Sequence, residues 1–198
     1  MTELRSAAQE AAEDLFFGQV VIIWARWFVI ISGVIVVLWS SNNTSELTTA
    51  VLMVVPLIAI NFFVHGRYLM ERPINQNLLL GLSLVDIIVI TIIVLFWQEP
   101  NGYLSPYYIF YYPFLLAVAF VFPVRVSVPY TLLILILYSV ACLVTDSSLV
   151  ADPYQLEGLI IRLITMATVG GLGAFYWRIQ RGRRRAAAGH GMKAPASS

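Results

Sequence analysis

The feature that most constrains this chain is the separation of its apolar segments from its cations. Six stretches of about 20 apolar residues, the length needed to cross a bilayer as a helix, run over 20–39, 47–65, 78–97, 106–122, 127–145 and 158–177. Of the 12 Lys and Arg residues, all but Arg26 and Arg162 lie outside these stretches. They are Arg5, Arg67, Arg72, Arg125, Arg178, Arg181, Arg183, Arg184, Arg185 and Lys193, all in the tails and alternate loops. The opposite loops, 40–46, 98–105 and 146–157, hold no Lys or Arg. Cytoplasmic loops of membrane proteins carry the excess of Lys and Arg. The pattern therefore predicts both termini in the cytoplasm and an even number of membrane crossings.

Composition agrees: 60% of the residues are hydrophobic and 12% charged, where a soluble domain carries about 25% charged residues. Backbone polar groups in lipid must be satisfied within the segment, so spans this long are helices. The expected fold is all-α, a polytopic membrane bundle of six transmembrane helices. Short connections make sequential helices antiparallel neighbours.

The domain plan has three parts: an amphipathic N-terminal helix over 1–18, the six-helix transmembrane domain over 19–178, and a basic, mostly disordered cytoplasmic tail over 179–198. The first places Leu4, Ala8, Ala11, Ala12 and Leu15 on one helical face, to lie at the membrane surface or dock on a protein. In the last, the small residues beyond Ala188 have little to bury. The net charge of +1 carries no argument for a nucleic-acid partner, because the cations cluster for a topological reason. Membrane lipids are the first expected partner.

Ionisable groups inside spans are costly and mark sites by default. Arg26 in the first span and Asp86 in the third both lie roughly 10–14 Å from the cytoplasmic entry at about 1.5 Å per residue. Equal depth and opposite sign predict a buried ion pair. It could simply fix helix packing, or it could receive a ligand head group or a proton. Arg162 in the last span is expected to reach outward to Glu157, Asp152 or lipid phosphate, as an outer-face anchor.

The turn before the fourth span concentrates aromatics: Tyr103, Tyr107, Tyr108, Phe110, Tyr111, Tyr112 and Phe114. Such rings form belts at membrane interfaces, and the same rings could accept a flat ligand. Pro56, Pro113 and Pro129 interrupt the second, fourth and fifth spans and tend to kink helices. In the sixth span Ala167/Gly171 and Gly170/Ala174 form two small-xxx-small pairs, which allow close helix approach. Their partner is a helix of the same chain, a second copy in a homodimer, or another subunit; the N-terminal helix is a second candidate docking element. Cys142 stands alone and reads as a packing residue. His65 and His190 are the only histidines. There is no metal-ligand cluster, phosphate loop or dinucleotide fingerprint, so neither a metal nor a catalytic residue is expected.

Three stretches carry a resemblance. They are Ala25-Arg26-Trp27, the run Leu84-Val85-Asp86-Ile87-Ile88-Val89-Ile90-Thr91, and Asn101-Gly102-Tyr103-Leu104-Ser105-Pro106-Tyr107 with the later Val124-Arg125 turn. Together they resemble the six-helix membrane input region of bacterial sensor histidine kinases of the RegB/PrrB redox type, over about residues 20–178. In that family a Gly-Gly-x-x-Asn-Pro-Phe turn is associated with quinone sensing. Gly102 and Pro106 match it; Asn101, Ser105 and Tyr107 stand where it has Gly, Asn and Phe. The resemblance implies a quinone as the one candidate cofactor or ligand, near Asn101, Gly102, Ser105, Pro106, Tyr107 and Tyr111.

After Trp177 only residues 178–198 remain, too few for a phospho-acceptor helix and an ATP-binding domain, so this chain is not expected to be an enzyme. The reading is a non-enzymatic membrane protein in signal transduction, binding a hydrophobic ligand, a protein partner or both. The alternative is a structural accessory subunit of a respiratory or photosynthetic membrane complex.

Overall fold

The computed structural model describes residues 2–40, 44–70, 74–97 and 102–191. Those residues form six α-helices: α1 (Thr2–Ser40), α2 (Thr44–Leu69), α3 (Gln76–Phe96), α4 (Tyr111–Val121), α5 (Val124–Thr145) and α6 (Pro153–Gly191). Short 3-10 turns at Gly102–Leu104, Pro106–Phe110 and Ser147–Val150 complete the path, with no strand among the described residues. Five helices are long and apolar enough to cross a membrane, with apolar segments Gly18–Trp39, Leu47–Leu69, Gln76–Phe96, Val124–Thr145 and Pro153–Tyr176.

The fourth apolar segment, Pro106–Val121, has nearly the expected bounds, but its first part is 3-10 and only the remainder is α-helical. Pro106 opens the 3-10 turn, and Pro113, without an N–H to donate, falls in the first turn of α4. The short helix is nevertheless central. It packs on α6, α1, α5 and α3, and Tyr111, Phe114, Leu115, Ala117, Val118 and Ala119 are buried along it. Enclosed by longer helices, it need not match the lipid thickness itself.

Its neighbours show that it runs the depth of the bundle. At one end Gly102 abuts Thr145, and Tyr103 abuts Gly158. At the other, Val121 abuts Gly18, and the rings of Phe120 and Tyr176 meet at 5.3 Å. The apolar part of α1 thus begins at the end where that of α6 finishes. Arg67 near the end of α2, Arg125 at the start of α5 and Arg178 after the apolar segment of α6 lie at this basic end; Asp146, Asp152 and Glu157 lie at the opposite, acidic end.

Two of the close approaches that require glycine are made to α4. A Cβ on Gly18 would come within 2.6 Å of Val121 Cγ1, and one on Gly173 within 2.4 Å of the Ala119 Cβ. Both let α4 sit tightly between α1 and α6.

The outer surface is the reverse of a soluble protein's. Trp24, Phe28, Ile31 and Ile35 form an exposed row at helical spacing on α1, as do Leu132, Ile136 and Val140 on α5. Threonine hydroxyls on this surface are satisfied inside their own helices. Thr165 and Thr168, although exposed, donate to the Ile161 and Ile164 carbonyls at 2.8 and 2.7 Å. This is the arrangement lipid demands of a polar side chain.

Two helices run on past the boundaries drawn from the sequence. The expected N-terminal helix over 1–18 continues into the first span: α1 is one helix of 39 residues, its apolar segment beginning at Gly18, with no proline at the junction to break it. The segment beyond Ala188 expected to be unstructured stays helical to Gly191 in α6, also 39 residues long; the run after Trp177 holds no proline up to Gly191, and its Arg and Ala residues favour helix more than Gly182 and Gly189 oppose it. The rest of that tail, 192–198, lies outside the described residues, as does Arg72.

Candidate functional site

Two buried polar clusters lie toward opposite ends of the bundle. The first joins α1, α3 and α5. Arg26 and Asp86, expected to pair, do so: Arg26 Nη2 lies 3.2 Å from Asp86 Oδ1, with the side chains 1% and 6% exposed. Ser83 and Asp86 are three residues apart and share a face of α3. Ser127 and Tyr130 do the same on α5, and all four are buried. The Tyr130 hydroxyl comes near Ser83 and Asp86 without reaching hydrogen-bond geometry.

Below this cluster Gln19 of α1, fully buried, ties three helices together. Its Nε2 donates to the Val64 carbonyl of α2 at 3.4 Å, and its Oε1 accepts from the Ile74 N–H just before α3 at 3.0 Å. Trp27 Nε1 adds a 3.2 Å bond to His65 Nδ1.

The second cluster lies toward the acidic end and is aromatic. Arg162 does not reach Glu157 or Asp152, and this corrects the expectation. Five residues of α-helix turn a side chain about 140° from its starting face, so Arg162 points inward while Glu157 stays exposed. Its Nη1 donates to the Tyr103 carbonyl and, at 2.9 Å, to Tyr138 Oη of α5. Its guanidinium carbon stands 4.5 Å from the Tyr103 ring centroid and 4.1 Å from that of Tyr108. Such cation–π contacts strengthen where water is excluded. Tyr138 continues the cluster, with ring centroids 6.0 Å from Tyr108 and 5.9 Å from Tyr111.

The turn singled out for quinone binding is largely occupied with folding itself. Gly102 is buried at φ +61, and a Cβ there would meet Thr145 at 2.6 Å. A side chain is thus excluded by both backbone and space. Ser105, 1% exposed, caps the following 3-10 turn by accepting from Tyr107 N at 3.4 Å. Tyr111 is fully buried, with its hydroxyl 2.7 Å from Thr91 Oγ1. Pro106 is exposed and Tyr107 half-buried, its ring stacked near Phe110 at 6.3 Å. Gly102, Ser105 and Tyr107 therefore stay together, while Tyr111 turns away toward α3. Asn101 lies outside the described residues.

The two small-residue pairs of α6 also separate. Gly170 and Ala174 are buried, with Gly170 against Thr131 of α5. Ala167 and Gly171 face outward, and a Cβ on Gly171 would meet nothing within 4 Å. No group of three or more His, Cys, Asp or Glu suited to a metal ion occurs among the described residues.

The sequence reading missed Tyr138, Tyr130, Ser83, Ser127 and Gln19. A usable signal existed for three of them. Tyr130, Ile134 and Tyr138 recur every four residues on one face of α5, and Gln19 is a polar residue at the mouth of a span.

No protein-family model matches the sequence, and no curated protein or solved structure matches it either.

Proposed function

We propose that this chain is a non-catalytic sensory module of the bacterial cytoplasmic membrane, similar to the input region of RegB/PrrB-type sensor histidine kinases. Both termini are cytoplasmic, with the basic end of the bundle inside, as the positive-inside bias favours. The carrying observation is the course of α6. One unbroken helix bears Arg162, held by Tyr103 and Tyr138 at the acidic end, and continues past its apolar segment to Gly191. A change in the aromatic turn acts on the Tyr103 carbonyl, through it on Arg162, and so on a rod that leaves the membrane on the other side. The ligand is a flat hydrophobic ring, a quinone, meeting the turn at Pro106 and Tyr107, where it faces outward.

A second reading rests on its own observation. The Ala167/Gly171 face of α6 is open to close approach, which suits a helix of a second copy or of a larger complex. In that case the chain is a structural accessory subunit of a respiratory or photosynthetic assembly.

Native mass spectrometry after gentle solubilisation separates the two. A lone chain or homodimer carrying a quinone-sized mass supports the sensory reading. A stoichiometric set of other membrane subunits supports the structural one.

A further inference from the structure

The Arg26–Asp86 pair is close but poorly matched. Although Nη2 and Oδ1 are 3.2 Å apart, Arg26 Nε, Nη1 and Nη2 all lack a hydrogen-bond partner within the protein, and so does Asp86 Oδ2. Two further buried groups of α5, Ser127 Oγ and Tyr130 Oη, are in the same condition. Arg26 and Ser127 are each 1% exposed, Tyr130 4% and Asp86 5%. A polar group left unmatched in a protein interior costs about 1–3 kcal/mol, more when charged. Lipid offers no relief, because it has no donors or acceptors at this depth. A pair serving only to hold α1 against α3 would align the guanidinium fork on the carboxylate, since planar bidentate contact is what arginine does best.

We propose that Arg26, Asp86, Ser127 and Tyr130 line a buried binding site for a neutral hydrogen-bonding ligand. The ligand presents acceptor oxygen to the guanidinium and a donor to Asp86 Oδ2. Neutrality follows from the site, where one positive and one negative charge already balance. The dual character follows from the unmatched atoms: arginine only donates, an ionised carboxylate only accepts, and the two hydroxyls do either. Water has this chemistry and needs two to four such partners to be held in a protein interior. The hydroxyl or carbonyl head of a membrane-soluble molecule has it too. The site is separate from the aromatic turn and stands whether or not the chain is sensory.

The test uses the full chain in phosphatidylcholine vesicles, with isotopically labelled arginine, by solid-state NMR. The Arg26 side-chain signals are identified by their loss in Arg26→Lys. Magnetisation is then transferred to the guanidinium nitrogens from selectively excited water. Transfer from water identifies bound water. Transfer from the protons of a co-purified small molecule, also found in the solvent extract by mass spectrometry, identifies an organic head group. Either result supports the site. In both cases Tyr130→Phe, which removes one lining hydroxyl and leaves the ion pair in place, should weaken the transfer without changing helix content. The proposal is overturned if the wild-type guanidinium receives magnetisation only from protein or lipid protons. It is equally overturned if Tyr130→Phe leaves the transfer unchanged.

Discussion

Arg162 of α6 donates a 2.9 Å hydrogen bond to the hydroxyl of Tyr138 on α5 while standing 4.1 Å from the Tyr108 ring centroid. A cation inside an apolar bundle is thus held by hydroxyl, carbonyl and ring faces rather than by a carboxylate. Tyr138→Phe keeps the ring and removes the oxygen. It should lower the stability of the bundle by about 1.5–3 kcal/mol, the range for a hydrogen bond to a charged group. Arg162→Lys should not substitute for arginine, because an ammonium cannot both fork to two oxygens and lie flat on two rings. Thermal unfolding in detergent, followed by circular dichroism, measures both.

The Arg26–Asp86 pair makes a different prediction, because it is almost wholly buried. Removing one partner strands the other charge, at a cost of about 3–5 kcal/mol. Asp86→Asn and Arg26→Gln should each destabilise strongly, whereas Arg26→Met with Asp86→Leu should recover most of the loss. Unfolding of the singles and the double, compared as a cycle, reads the coupling.

Neighbouring glycines of α6 should behave oppositely. Gly173→Ala forces a methyl against Ala119 and should cost about 1–3 kcal/mol, as overpacking does. Gly171→Ala meets open space and should be neutral or gain up to about 1 kcal/mol of helix propensity. Melting temperatures of the two variants decide it.

Topology is checked by single cysteines at Ser148 and Gly182, in chains with Cys142 replaced by alanine. A membrane-impermeant thiol reagent added to intact cells should label the Ser148→Cys chain and spare Gly182→Cys until the membrane is opened.

Helix number and the basic and acidic ends were legible because they follow from segment hydrophobicity and Lys/Arg placement, which act locally. The Arg26–Asp86 pairing was legible for a related reason: depth along a helix converts to sequence distance. The partner of Arg162 was not. Glu157 and Asp152 are near in sequence, but the direction of the guanidinium is set by rotation about α6 and by aromatic faces from two other elements. The hydroxyls of Tyr130 and Ser127 look like ordinary span residues until α5 is packed against α3. The division of the α6 small residues into a buried pair and an open pair likewise needs the position of Thr131 on α5. The need for glycine at position 18 depends on Val121, a residue far away in sequence.

The most direct test of coupling from the aromatic turn to the far end of α6 is a distance measurement. Spin labels at Leu69→Cys on α2 and Gly182→Cys on α6, with Cys142 replaced by alanine, report the basic end by double electron–electron resonance in lipid nanodiscs. The sensory account predicts a shifted or redistributed distance when a short-chain quinone is added, and loss of that response in Arg162→Gln. A distribution that stays the same with quinone and in Arg162→Gln would contradict it, leaving the aromatic cluster a structural clamp.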